Sequence, residues 1–197
     1  MKFRSLIFLL IISLGGVLLP RDFDHRDIPI HENGRIKPLD TFVRNQLLVI
    51  YGKRSIKPKA LPEELNSKGL SAIDWFFDIA LNPEEGDKYS VFNISNPEVV
   101  ASLGLYWDPG HLYNRREILS GLKNQFDYIA SIQGKPENEL TQFDIQLLKV
   151  YSNVIQYQAL SYSLSCLLPL IQINHKDIAL SLSINPGDKL SYYQLMR

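Results

Sequence analysis

The spacing of apolar residues predicts a chain built mainly from helices. From Pro38 onward, apolar residues recur every three or four positions as far as Tyr51, and Gly52 follows them. This spacing places them on one face of a helix, and the glycine is typical of a helix end. Apolar spacing and capping residues predict further helices over 71–81, 96–104 and 115–132. A last helical stretch, as one long helix or as two, is predicted over 139–168.

Extended segments are fewer and shorter. Asn33-Gly34 is a strong turn dipeptide between isoleucines, and it predicts a short hairpin. Residues 89–92 predict one short strand. The C-terminal stretch 171–197 is less regular, with a turn at 186–188, and no repeat of fixed period is visible along the chain. The fold class that follows is mainly α with minor β.

The N-terminus differs from the rest of the chain. Residues 1–20 place two basic residues before an apolar run that spans 5–19, which is the order of an export signal. As a helix this run covers about 22 Å, less than the ~30 Å core of a bilayer, so it suits either a cleaved signal peptide or a retained anchor. Residues 21–27 then form a charged linker. A small helical extracytoplasmic domain over 28–197 follows on the outer side of the cytoplasmic membrane.

Composition excludes several functions. The 197 residues include 21 basic and 21 acidic side chains, and this balance lacks the positive charge that a nucleic-acid partner requires. The single cysteine, Cys166, excludes an internal disulfide, a Cys-x-x-Cys redox pair, a haem attachment motif and a multi-cysteine zinc site. Because Cys166 lies in an apolar run, we expect it to be buried.

No catalytic or metal-binding pattern is visible. None of the four histidines has a histidine or an acidic residue three or four positions after it, so we expect surface or turn residues rather than a metal site: His25, His31, His111 and His175. The chain has no Gly-x-Ser-x-Gly elbow and no glycine-rich phosphate loop. The acidic pairs at 63–64 and 84–85 lie in polar loops, where we expect them to be solvated. The sequence therefore favours a protein that is not an enzyme.

The most distinctive string is Gly34-Arg-Ile-Lys-Pro-Leu-Asp-Thr-Phe-Val-Arg44. It concentrates charge where a turn leads into a helix, and its candidate partner-binding residues are Arg35, Lys37, Asp40 and Arg44. An acid at a helix start complements the helix dipole, and an arginine can tie a turn to a carboxylate or a carbonyl. Two interpretations stay open: a well-capped helix start with no further role, or a contact for an anion or a protein partner.

This string begins a resemblance that covers about 28–168. Together with Asn96-Pro97-Glu98 and the pattern Glu139-Leu-Thr-Gln-Phe-Asp144, it resembles the extracytoplasmic region of ResB/CcsA-type cytochrome c biogenesis proteins of System II. The resemblance implies a domain that works with a multi-span membrane protein of this haem delivery and attachment machinery. Apocytochrome c is a second partner that it implies.

Departures from that family narrow the expectation. Trp75 and Trp107 are isolated rather than part of a Trp-rich motif, and multiple long apolar spans are missing. The expected function is a non-catalytic accessory component of cytochrome c biogenesis, with haem reached only through the partner. The alternative is an envelope scaffold or adaptor unrelated to haem. A third hypothesis is a small haem-binding protein that uses His31 or His111.

Overall fold

The computed structural model describes residues 24–65 and 68–196. The chain divides into two compact units, Met1–Leu39 and Asp40–Arg197. The signal or anchor predicted over residues 1–20 lies outside the described residues. Within them, no helix combines the length and the apolar character needed to cross a bilayer.

The described part of the first unit is a hairpin. A 3-10 turn at His25–Asp27 precedes strand β1, Pro29–Glu32, which pairs antiparallel with β2, Arg35–Pro38. The amide of Leu39 then donates to the carbonyl of Ile28 at 2.8 Å, which closes the hairpin at its open end. Helix α1, Leu39–Tyr51, begins at this last residue of the unit.

The second unit is mainly helical, which confirms the predicted fold class. Its helices after α1 are α2 Ala72–Leu81, α3 Pro83–Gly86, α4 Pro97–Ser102, α5 Arg115–Lys123, α6 Phe126–Ile132, α7 Gln142–Tyr162, α8 Lys176–Ser181 and α9 Tyr192–Leu195. Its strands have two residues each: β3 Ser55–Ile56, β4 Leu70–Ser71, β5 Phe92–Asn93, β6 Leu112–Tyr113, β7 Ile171–Gln172 and β8 Lys189–Leu190. They pair antiparallel in sequence order, β3 with β4, β5 with β6 and β7 with β8.

The core of the second unit forms where α2 packs against α7. The ring centroids of Trp75 on α2 and Tyr157 on α7 are 6.1 Å apart, and both side chains are fully buried. Phe92 of β5 lies 5.4 Å from the same Tyr157 ring. One aromatic cluster therefore joins two helices and a ribbon.

Local capping signals are confirmed where the sequence carries them. The Ser71 hydroxyl accepts the amide of Asp74 at the start of α2, and the Asn96 side chain accepts the amides of Glu98 and Val99 at the start of α4. These bonds satisfy amides that lack a partner in the first turn of a helix. Helix α1 also spans the predicted residues within one position.

Two predicted helices have different bounds. The prediction of a single helix over 115–132 is wrong. The stretch forms two helices, α5 and α6, and between them the Gln125 side chain donates to the Ser102 carbonyl at 2.9 Å. The stretch over 139–168 is helical only from Gln142 to Tyr162, followed by a 3-10 turn at Ser165–Leu167. The Ser163 hydroxyl donates to the Leu160 carbonyl at this end, and such side-chain bonds compete with a continuing helix.

The second unit also contains a structural repeat that the sequence does not reveal. Copy one is 92–119 and copy two is 171–196; each has a strand, a helix, a second strand that pairs with the first, and another helix. In each ribbon the first residue of the first strand pairs with the last residue of the second strand, and one residue separates the second strand from the helix that follows. The loop before the second strand differs, with residues 106–108 in copy one replaced by Asn185 alone in copy two.

Several backbone hydrogen bonds recur at equivalent positions in the two copies. The Leu105 amide donates to Val100 O in copy one as the Ile184 amide donates to Ala179 O in copy two, both at 3.0 Å. Each last helix begins with a reciprocal capping box, made by Asn114 in copy one and by Ser191 in copy two. Few identities and unequal loops explain why no fixed period is visible.

Gly121 lies where α5 packs closely against the backbone at the end of α4. A Cβ atom at this position would lie 2.2 Å from the Leu103 carbonyl oxygen. We expect Gly121→Ala to lower the free energy of unfolding by about 1–2 kcal/mol, because displacing this backbone outweighs the helix propensity of alanine. Urea denaturation measures the change. Ser120→Ala, one exposed position earlier, serves as the control, and a stabilised Gly121→Ala would contradict the close approach.

Asp144 ties α6 to the start of α7. A 2.5 Å hydrogen bond from the Tyr128 hydroxyl, with further bonds from Thr141, holds the pKa of Asp144 below its usual range. Because its pKa is lowered in the folded state, ionised Asp144 stabilises the fold at pH values above the usual carboxyl pKa. This contribution is lost as the pH falls through the folded-state pKa. We therefore expect Asp144→Asn to flatten the loss of stability between about pH 5 and about pH 2.

The measurement is urea denaturation across this pH range. Tyr128→Phe removes the hydrogen bond that lowers the pKa of Asp144 most, and it keeps the carboxylate. Its profile of stability against pH should therefore fall between those of wild type and Asp144→Asn. Equal slopes for all three proteins would show that the Tyr128 bond does not favour the ionised carboxylate.

Candidate docking site

The first two candidate residues, Arg35 and Lys37, lie on β2 of the hairpin. Asn33 and Gly34 form its two-residue turn with φ values of 51° and 75°. Asn-Gly is favoured where both turn residues have positive φ, so the local sequence dictates this geometry. The turn sets the register that places Arg35 opposite Glu32.

The two faces of the hairpin differ in exposure. Residues opposite each other share a face, and one face consists of four exposed side chains: Pro29, His31, Ile36 and Pro38. On the other face Lys37 and Glu32 form a half-buried ion pair. Lys37 is therefore held within the hairpin, whereas the Ile36 side chain is 75% exposed.

The other two candidate residues, Asp40 and Arg44, lie in the first turns of α1. The Arg44 Nε donates to Asp40 Oδ2 at 2.7 Å, across the i,i+4 spacing of neighbouring helix positions. An acid placed four residues before a base suits the helix dipole, and such a partly exposed pair stabilises a helix by about 0.3–0.5 kcal/mol. Asp40 Oδ1 is buried and accepts no hydrogen bond from the described residues.

The four candidate residues thus fall into three situations. Lys37 pairs with Glu32, and Asp40 pairs with Arg44, in separate units of the chain. Arg35 is exposed, and its guanidinium makes no hydrogen bond or ion pair within the described ranges. The expected tie from Arg35 to a carboxylate or carbonyl is thus not formed there. The side chains left open to a partner are Arg35 and Ile36, and the sequence pattern had singled out only the first.

The histidines lie in different local settings. His31 is on the exposed face of the hairpin, and His25 and His175 are exposed beside Asp24 and Asp177, each with a 3.9 Å approach. His111 has a positive φ of 56°, packs its ring 4.7 Å from that of Trp107, and has a buried Nδ1 with no hydrogen-bond partner among the described residues. No group of three potential metal ligands forms within residues 24–65 and 68–196.

Cys166 corrects another expectation. The thiol is exposed, not buried, because its apolar run does not continue α7 but forms the 3-10 turn at Ser165–Leu167. The run also leaves Leu167 and Leu170 exposed. Apolar composition therefore predicted a buried segment where the chain has a surface turn.

Sequence reasoning also missed a cleft beside the long loop of copy one. A cavity of about 620 Å³ is lined by aromatic, aliphatic and carboxylate side chains, among them Tyr106, Trp107, Asp108, Leu112 and Glu117. Tyr106 is almost fully exposed and Trp107 is half-exposed. Adjacent aromatic residues before a Pro-Gly turn are the sequence signal that marks this loop.

A partly buried carboxyl completes the polar groups of interest. The Tyr89 hydroxyl donates to Asp78 Oδ2 at 2.9 Å beneath α2. Burial raises the pKa of Asp78 in spite of this bond, and burial with the neighbouring carboxylate raises the pKa of Tyr89. The pair holds α2 to the segment before β5, and we assign it no chemistry.

Asp40 gives a direct test of how the helix start is stabilised. We expect Asp40→Ala to cost about 1 kcal/mol of unfolding free energy, because it removes both the dipole interaction and the Arg44 pair. In a double-mutant cycle with Arg44→Ala, the coupling should be about 0.3–0.5 kcal/mol. Thermal and urea denaturation measure both terms, and zero coupling would show that the pair makes no net contribution.

Within the first unit, the Asn33-Gly34 turn, the exposed hairpin face and the Lys37–Glu32 ion pair define the surroundings of Arg35 and Ile36. Arg35 and Ile36 are both exposed in the distinctive string, and neither forms a side-chain hydrogen bond or ion pair with the described residues. Comparisons of this chain with protein-family models, with curated proteins and with solved structures found no match.

Proposed function

We propose that this protein is a non-catalytic accessory component of cytochrome c biogenesis that docks on a multi-span membrane partner. It acts on the outer side of the cytoplasmic membrane, exported or held there by residues 1–20. The observation that carries the docking role is the exposed hairpin face with Ile36 at its centre, together with Arg35, which is exposed on the opposite face beside the turn.

The hairpin has the features of a contact surface. A large aliphatic side chain that is 75% exposed on a ribbon does not contribute to a core. Proline on both strands, Pro29 and Pro38, removes amide donors and stiffens the face without adding charge. Arginine is enriched in protein interfaces, where its planar guanidinium binds carboxylates and aromatic rings. An exposed isoleucine on one face of the hairpin and an exposed arginine on the other fit contact with a protein better than binding of a small anion.

The link to cytochrome c rests on the resemblance carried by residues 34–44 and by the later segments. In this role the partner holds the haem and apocytochrome c is the substrate of the assembly. The chain contributes binding energy and orientation rather than chemistry, and its exposed lone thiol cannot form an internal disulfide.

Complementation of a deletion strain tests the proposal. Arg35→Ala/Ile36→Ser should reduce covalently haem-stained c-type cytochromes as deletion does, while the melting temperature stays within about 2 °C of wild type because both side chains are exposed. Arg54→Ala/Ile155→Ser removes an exposed arginine and a half-exposed isoleucine elsewhere and should restore normal levels.

Normal cytochrome levels in the deletion strain would refute a role in this assembly and favour an envelope scaffold unrelated to haem. Loss of cytochromes together with a large drop in melting temperature would show that the hairpin residues serve folding. Full activity of Arg35→Ala/Ile36→Ser would place the docking surface elsewhere.

A further inference from the structure

The loop before β6 is longer than the fold requires. Copy two makes the same connection with Asn185 alone where copy one has residues 106–108. A Pro-Gly pair follows in both copies, and an amide donates back across it, to Asp108 O at 2.9 Å in copy one and to Asn185 O at 3.1 Å in copy two. The additional residues of copy one are therefore Tyr106 and Trp107, and neither is needed to close the ribbon.

Contacts within copy one hold this loop in place. The Trp107 ring packs edge-on against the His111 ring, with centroids 4.7 Å apart. The Asp108 amide donates to the Tyr113 hydroxyl at 3.1 Å, and the Asp108 carboxylate accepts the Leu112 amide at 3.0 Å. The backbone of the loop is thus fixed, while the Trp107 side chain remains 49% exposed.

The cleft of about 620 Å³ beside this loop carries negative charge. Asp108 and Glu117 line it, and none of the other described residues that line it is a lysine, arginine or histidine. Backbone amides hold one oxygen of each carboxylate, and the other oxygen accepts no hydrogen bond from the described residues. Lys59 shares a second cavity with Asp108 but makes no ion pair with it. Two positioned carboxylates, each with an open oxygen, favour a cationic ligand.

The other groups of the cleft narrow the kind of cation. Aromatic faces such as those of Tyr106 and Trp107 attract cations and stack with planar groups. The open carboxylate oxygens and the hydroxyls of Ser90 and Ser120 accept hydrogen bonds, which a quaternary ammonium cannot donate. A guanidinium is planar, has five N–H donors and is more weakly hydrated than a primary ammonium. These properties favour a guanidinium over either kind of ammonium.

We propose that this cleft binds the guanidinium of an arginine side chain on a partner polypeptide. Asp108 and Glu117 accept its N–H groups, and the rings of Tyr106 and Trp107 contact its planar face. Tyr106 lines the cleft yet is 96% exposed, so its ring also meets the chain that flanks the arginine, which a free small molecule lacks. This assignment stands independently of the hairpin and of cytochrome c.

Fluorine NMR of the full chain in a non-ionic detergent tests the proposal. The chain has two tryptophans, so 5-fluorotryptophan labelling gives two resonances, which Trp107→Phe assigns. Acetyl-Gly-Arg-Gly-amide should shift the Trp107 resonance with a Kd of about 1 mM, as a single side-chain contact provides, and leave that of the fully buried Trp75 unchanged. Citrulline in place of arginine keeps the shape without the charge and should bind at least about tenfold more weakly, and lysine about threefold more weakly.

Variants of the protein locate the binding. Asp108→Asn/Glu117→Gln removes both charges but keeps oxygens that accept the backbone amides, and it should bind the arginine peptide at least about tenfold more weakly. The control Asp127→Asn/Glu139→Gln neutralises two exposed carboxylates outside the cleft and should bind as wild type does. Tyr106→Leu changes an almost fully exposed ring, so it keeps the test available if the first variant unfolds, and it should weaken binding about threefold.

Three results would overturn the proposal. The first is an unchanged Trp107 resonance at about 20 mM arginine peptide. The second is equal affinity for the arginine peptide and for the citrulline or lysine peptide, since the cleft would then not select a guanidinium. The third is undiminished binding in both Asp108→Asn/Glu117→Gln and Tyr106→Leu. Methylguanidinium that binds as tightly as the arginine peptide would refute the polypeptide partner, because the flanking chain would then contribute nothing.

Discussion

The buried ring of Tyr157 is the contact on which the second unit depends. It lies in the middle of the long helix α7 and meets Trp75 of α2, Phe92 of β5 and the guanidinium of Arg115 on α5, the last at 5.9 Å. Arg115 is in turn paired with Asp87, and both side chains are largely buried. Because burial raises the pKa of Tyr157, the phenol stays neutral and the ring can serve four elements at once without a buried charge of its own.

Features set by neighbouring residues could be predicted from the sequence. The caps at Ser71 and Asn96 need only a side chain and an amide two or three residues away, and the Asn33-Gly34 turn needs only two residues that tolerate positive φ. The candidate site was predictable to the same extent. Its helix start and its turn follow from local rules, and the acid at Asp40 lies where the helix dipole favours it.

Features set by contacts between residues distant in sequence could not be predicted from the sequence. The apolar spacing over 71–81 predicts a buried face made of Ile73, Phe76, Phe77, Ala80 and Leu81. Trp75 and Ile79 are not in this face, yet both are fully buried, because α2 is enclosed on more than one side. The break before α6 coincides with a bond from the Gln125 side chain to the Ser102 carbonyl, 23 residues away in sequence. In the candidate site, Lys37 is paired with Glu32 across the hairpin, whereas Arg35 is exposed. Counting the charges along the sequence cannot distinguish these two basic side chains.

The shortness of the strands limits how this protein can be recognised. Each described strand has two to four residues, and each is paired on one side only. So short an edge offers an incoming strand one or two main-chain groups, too few for a partner to add by β-augmentation, and it gives aggregation little template. Specificity must therefore come from side chains presented on turns and helices, which single substitutions can change without disturbing the backbone.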